Sequence, residues 1–368
     1  MNGRFLKTVA YLVAGFIPAA GCVSGGVAVA APSFDSGSKG AYLYVANQSS
    51  PSVSVIDMET DEVVYTVDLL ALGFSANAKP HHIVVEPDGS FWYVSLIADG
   101  FVLKFDRENN LVGRAPFGTP GLMALDPASD RLYVGRSMAA VNPPQRIGVI
   151  QRSTMETDEV DVFVDRPHAI AVSSDGSHVY TASLASNDMA AFMVGNGDVD
   201  LIAVPSPTGQ VHVMVQFAIN PAGDRLVVGG EMTGKLLVMD ASTSMSMTLP
   251  VLKTIDVSAA PWHPVFSADG SRLYIGNRVG NAVTVIDATD WTVVQTIHDE
   301  RFASPHGIAL SPDGSKLYVG NRNTKPAADG EAPGNGFVAV IDTASGEVTK
   351  LIEVGRYAAG MGTATATR

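Results

Sequence analysis

The stretch that decides the fold is SPHGIALSPDGSKLY, residues 304–318. An apolar run leads into an Asp-Gly pair, and a second short apolar run follows it. That arrangement is the signature of a β-hairpin, because the glycine takes the positive φ that a tight turn needs. The stretch recurs along the chain: KPHHIVVEPDGSFWY begins at Lys79, DRPHAIAVSSDGSHVY at Asp165 and APWHPVFSADGSRLY at Ala260. Weaker copies are TPGLMALDPASDRLY from Thr119 and VQFAINPAGDRLV from Val215. Aligned on the residue before the turn (Pro87, Pro127, Ser174, Pro221, Ala268 and Pro312), the copies lie 40, 47, 47, 47 and 44 residues apart. A steady period in the forties, built of short alternating strands, means a propeller-like array.

Each repeat follows one grammar. An inner strand such as Gly307 to Ser311 leads through the Asp313-Gly314 turn into a second strand, Leu317-Tyr318-Val319-Gly320. A third strand ends in an Ile-Asp pair (Ile56-Asp57, Ile286-Asp287, Ile341-Asp342), and a fourth follows, such as Thr292 to Ile297. The chain ends complete the pattern. Tyr42 to Asn47 is a second strand with no inner strand before it, and the segment Tyr357 to Thr365 is an inner strand with nothing after it. Joining the two closes the ring and removes exposed sheet edges. The expected fold is therefore all-β: a seven-bladed β-propeller with a C-terminal strand closing the first blade, formed by residues 31–368 as a single domain.

Composition agrees. Of 368 residues, 46% are hydrophobic and 17% charged, which is ample for a core and excludes disorder. The 36 Gly and 21 Pro suit a fold rich in turns, and a single Cys excludes a disulfide scaffold. With 24 Lys+Arg against 37 Asp+Glu the net charge is 24 − 37 = −13, so no nucleic-acid partner is expected.

Residues 1–30 read as an export signal: Arg4 and Lys7, no acid, then an apolar stretch from Val9 to Ala20. Ala28-Val29-Ala30 has the small-x-small form that signal peptidase accepts, with cleavage before Ala31. The mature charge is then 22 − 37 = −15. Alternatively, Ala19-Ala20-Gly21-Cys22 resembles a lipoprotein lipobox, with Cys22 lipidated, although Leu usually stands where Ala19 does. A periplasmic or extracellular location is expected in both cases, with membrane attachment only through a lipid on Cys22.

Tyr-Val-Ala-Asn at 44–47, Tyr-Ile-Gly-Asn at 274–277, Tyr-Val-Gly-Asn at 318–321 and the PHGIALSPDGSKLYVGN run at 305–321 resemble the YVTN-type β-propeller repeat. The resemblance covers nearly the whole mature chain. It implies the fold. It leaves function open, since such propellers include surface-layer proteins, binding proteins, lactonase-like hydrolases and relatives of metal or haem oxidoreductases.

Inner strands line a propeller's channel. At the start of the seven inner strands the alignment places Ala359, His81, Gly121, His168, Val215, Trp262 and His306; the next position adds His82 and His263, and His212 lies three residues before Val215. Six of the eight histidines thus gather at one channel mouth, leaving out His178 and His298. The same face receives Arg136, Glu231, Asn277, Arg278, Asn321 and Arg322, and the long loops 137–145 and 323–335 overhang it. Three readings compete. The mouth binds a small-molecule or protein ligand, with Arg136, Arg278, Arg322, Asn277 and Asn321 in contact with it. Alternatively His81, His82, His168, His212, His263 and His306 supply ligands to copper or another transition metal, as in propeller oxidoreductases, since imidazole suits such ions. The fold analogy also allows a lactonase-like hydrolase, although no Glu/Arg/His signature places its residues; the candidate catalytic residues are Glu231, as a general base beside the histidines, and His306. A structural role stands beside these, in which the imidazoles cap inner strands against neighbouring backbone.

Overall fold

The computed structural model describes residues 41–242, 249–324 and 333–364; the export signal, Cys22, residues 325–332 of the second long loop and Thr365 lie outside the described residues. The described residues form 28 strands in seven four-stranded antiparallel sheets, the seven-bladed β-propeller that the repeat predicts. The strand Ala358–Thr363 pairs with Tyr42–Asn47, placing Leu43 opposite Thr363 and Val45 opposite Met361, so the C-terminal strand completes the first blade.

The turns show why the repeat reads as it does. Gly314 holds φ at 72° and donates its N–H to the Ser311 carbonyl, while the Asp313 carboxylate accepts from the Ser311 and Ser315 hydroxyls and the Ser315 N–H. These bonds hold Asp313 down at about 2, the Ser311 hydroxyl contributing most. The aspartates of the Ile-Asp pairs act likewise: Asp57, Asp287 and Asp342 accept backbone N–H groups of Glu59, Thr289 and Ser345 at 2.8–2.9 Å. They hold their own turns together.

The inner strands begin earlier than the sequence suggests, at Pro305 rather than Gly307 in blade seven. The cause is local. Each inner strand follows a non-glycine residue in the left-handed region: Lys79, Thr119, Arg166, Val213, Ala260, Ser304 and Tyr357, with φ of 51–66°. In five blades the next residue is proline, whose fixed φ starts the strand at once. A register shift of the β-bulge kind follows in all seven inner pairings, for example between Pro80 and Ile83 and between Pro305 and Ile308. A bulge re-aims consecutive side chains, and here it falls on the histidine positions.

Apolar clusters bridge neighbouring blades. Trp92 of blade two stacks between Tyr44 of blade one and Phe105, with ring centroids 4.7 and 4.2 Å apart, and is fully buried. Tyr318 of blade seven donates its hydroxyl to Asp61 of blade one, beside the Lys316–Asp61 ion pair. Burial of such rings supplies about 1.5–3 kcal/mol each, which makes every blade depend on its neighbours. Close approach at the axis also dictates residue choice: a Cβ on Gly360 of the closing strand would sit 2.4 Å from the His81 carbonyl oxygen.

Candidate functional site

The bulge at Pro80–Ile83 lets consecutive histidines reach different blades. The His81 ring lies 5.9 Å from that of His306, His306 lies 5.1 Å from His263, and His263 lies 6.1 Å from His82. A chain of four buried imidazoles thus joins blades two, seven and six. Blade one offers only Ala359 and Gly360 at this level, which leaves room for the rings to meet across it.

Hydrogen bonds divide the histidines into two sets. His168 donates Nδ1–H to the Arg136 carbonyl at 2.7 Å, and His82 accepts the Met123 N–H on Nδ1 at 3.2 Å. Both contacts reach blade three, and they are the strand-capping role considered from sequence. His212 is held at both nitrogens, Nε2 donating to the Pro205 carbonyl at 3.1 Å and Nδ1 accepting from the Thr233 hydroxyl at 2.9 Å, so it serves the loops of blade five. His81 is fixed through Nδ1 by the Gln48 amide oxygen at 2.8 Å. His263 and His306 differ. Neither ring has a hydrogen-bond partner among the described residues, and His263 Nε2 and His306 Nδ1 are fully buried.

Burial governs the charge of the cluster. Desolvation, and after it the charge of neighbouring imidazoles, pushes His81, His263 and His306 well below the ordinary histidine range. Desolvation lowers His82 to about 3 and His168 to about 4, the latter partly restored by its bond to Arg136. The cluster is therefore neutral at physiological pH.

Above it the cations divide in the same way. Arg136 is buried; it donates to the Arg146 and Gly118 carbonyls and to Glu159 at 2.7 Å, and covers the Phe117 ring, so it holds blade three together. Asn277 and Asn321 are fully buried and bond within their own repeats, to Thr284 at 2.8 Å and to the Val319 carbonyl at 2.9 Å. The structure thus keeps these three inside the blades, beneath the mouth. Arg278 pairs with Glu231 and lies over Trp262, 4.7 Å from the ring centre. That pairing ties up the Glu231 carboxylate, and no hydrogen bond joins Glu231 to an imidazole among the described residues. Arg322 lies 4.1 Å over Tyr357, itself 6.2 Å from His306, and its guanidinium has no hydrogen-bond or ion-pair partner among the described residues.

The sequence reading missed Gln48, Tyr357 and Arg356. Tyr357 carries the left-handed turn before the closing strand and could have been found as the counterpart of Ser304 and Lys79. Gln48 carries no sequence signal. As to metal, among the described residues no group of three or more His, Cys, Asp or Glu side chains is disposed to hold one ion; the imidazoles approach one another in pairs.

No protein-family model and no curated protein matches the chain. Solved structures do match. A functionally unknown protein from Desulfotomaculum acetoxidans superposes with a TM-score of 0.71 at 14% identity, covering 89% of this chain and 99% of that one. A 6-phosphogluconolactonase candidate from Bacteroides uniformis gives 0.66 at 16% identity, over 88% of this chain and 100% of that one. Hydrazine synthase from Kuenenia stuttgartiensis gives 0.58 at 21% identity, over 72% and 76%. Likeness at such identities concerns the fold alone, and on that ground the chain is a seven-bladed β-propeller.

Proposed function

We propose that this chain is an exported binding propeller, of the kind the YVTN-type repeat resembles, and that its ligand sits at the histidine-lined mouth of the channel. The observation that carries this reading is the pair His263 and His306: two neutral, buried rings 5.1 Å apart, whose buried His263 Nε2 and His306 Nδ1 have no hydrogen-bond partner among the described residues. A buried polar atom without a partner costs about 1–3 kcal/mol, and native structures rarely leave one unexplained. A neutral imidazole offers one N–H donor and one lone pair. A ligand with complementary groups recovers both at each ring. Trp262, 5.2 Å from His306, adds an apolar wall. His82, His168 and His212 hold the surrounding strands and loops in place.

The test is a screen of small metabolites by thermal shift, run on the wild-type chain and on the His263→Ala/His306→Ala double variant. Compounds that stabilise the wild type and lose their effect in the variant support the reading. If every compound that binds stabilises the variant equally, the mouth is not the site.

A further inference from the structure

The cavity next to the imidazoles has its own chemistry. It lies between blades seven and one, measures about 220 Å³, and is lined by Arg322, Arg356, Tyr357, Asn323 and Ser49 among others. Among the described residues no carboxylate lines it. This is unexpected in a chain of net charge −13, in which acids outnumber bases by 37 to 24. Among the described residues seven other arginines, Arg136, Arg146, Arg152, Arg225, Arg272, Arg278 and Arg301, each pair with an acid. Arg322, buried more deeply than most surface cations, has no such partner among them.

The geometry points to an oxyanion site in this cavity: a carboxylate or phosphate group of the ligand accepts N–H bonds from Arg322 and Arg356 while the rest of the ligand reaches His306 and His263. This rests on the mouth being the ligand site and names the ligand class. Arg322 is half-buried and stacked on Tyr357, with its buried Nε unpartnered among the described residues. Stacking on the ring fixes the plane of the guanidinium and leaves its edge, where the N–H groups lie, free to face the cavity. Arg356 spends one Nη2 bond on the Ser49 carbonyl at 2.9 Å and makes no other side-chain hydrogen bond among the described residues. Burial, with Arg278 nearby, lowers Arg322 to about 10, against the opposing pull of Glu231, so the guanidinium stays charged at neutral pH, and no acid among the described residues forms an ion pair with it. An oxyanion supplies the counter-charge. The bidentate fork of arginine suits the two oxygens of a carboxylate or phosphate. The neutral imidazoles below add no further positive charge, so the rest of the ligand is polar and uncharged where it meets them. Tyr357, in contact with both Arg322 and His306, joins the two halves of the site.

Inorganic phosphate and acetate are the probes. Each is titrated into the wild-type chain at low ionic strength, with the imidazole and arginine Nε–H NMR signals followed. Saturable binding that shifts the Arg322 signal is expected, weakened at least about tenfold in Arg322→Met, the loss of a charge-assisted pair. Lys253→Met, which removes one positive charge from an outer strand, is expected to bind within about twofold of wild type, so that general screening is excluded. A preference between the probes separates phosphate from carboxylate ligands. Equal binding in wild type and Arg322→Met overturns the inference, as does the absence of saturable binding of either probe. If uncharged compounds shift the His263 and His306 signals while neither anion acts on Arg322, the oxyanion inference falls and the mouth reading stands. If neither kind of probe shifts any of these signals, both fall.

Discussion

Acidification from pH 7.5 to 5 should destabilise this protein through its capping histidines, before its carboxylates begin to protonate. The unfolded chain protonates histidine near about 6.5, whereas the native state protonates His82 only at about 3 and His168 only at about 4, chiefly because burial strips the charged form of water. The sign follows from the proton count. Below about 6.5 the unfolded chain binds protons that the native state refuses, so stability is full above that pH and falls as pH drops toward the native values. Each such histidine costs about 1.4 kcal/mol per pH unit within that window. At pH 5 this amounts to about 2 kcal/mol for each, or about 4 kcal/mol for the two. The turn aspartates contribute little there: Asp175, Asp269 and Asp313 are held at about 2, so their contribution is lost only at lower pH. The perturbation is His82→Asn/His168→Asn. Asn Oδ1 can accept the Met123 N–H as His82 Nδ1 does, and Asn Nδ2 can donate to the Arg136 carbonyl as His168 does, yet Asn does not titrate. Urea unfolding at pH 7.5 and pH 5 measures both proteins. The double variant should lose about 4 kcal/mol less than wild type over that interval. Equal losses would refute the argument, for they would mean that these imidazoles charge in the native state without penalty.

Two further outcomes follow from the packing and from the mouth. Gly360→Ala places a Cβ 2.4 Å from the His81 carbonyl, so the closing strand must shift; thermal unfolding should show a loss of about 1–3 kcal/mol, and a change below about 0.5 kcal/mol would show that the strand yields freely. Glu231→Gln removes the carboxylate that neutralises Arg278 beside Arg322. Phosphate should then bind about threefold tighter or more at low salt, whereas weaker binding would place Glu231 in contact with the ligand.

The architecture was legible from local signals because each blade repeats them. The Asp-Gly turns, the Ile-Asp turns and the unpaired Tyr42–Asn47 and Tyr357–Thr365 segments specify hairpins, period and closure without long-range information, and the sheets form where they predict. The meeting of His81, His82, His263 and His306 was also readable, since position in the repeat fixes position on the ring. Their roles were not. His168 and His306 occupy the same aligned position, yet His168 bonds to the Arg136 carbonyl and His306 has no hydrogen-bond partner among the described residues. The same holds for the arginines that end the second strands. Arg136, Arg278 and Arg322 look alike in the repeat, but the first is spent inside blade three, the second is matched by Glu231 and the third lies over Tyr357 with no acid partner among the described residues.

The sequence by itself determined the number of blades, the turns, the closing strand and the face on which polar residues collect, because these depend on residues close together in the chain or related by a fixed period. Only the tertiary structure decided which imidazoles cap strands, which have no partner among the described residues, and that Arg322 stacks on Tyr357 with no acid paired to it among them. Those properties depend on what a side chain meets in another blade. His81 meets a ring more than two hundred residues away in His306 because the closing strand offers only Ala359 and Gly360 between them, and hydrogen bonding, desolvation and charge compensation are fixed by such distances across the channel.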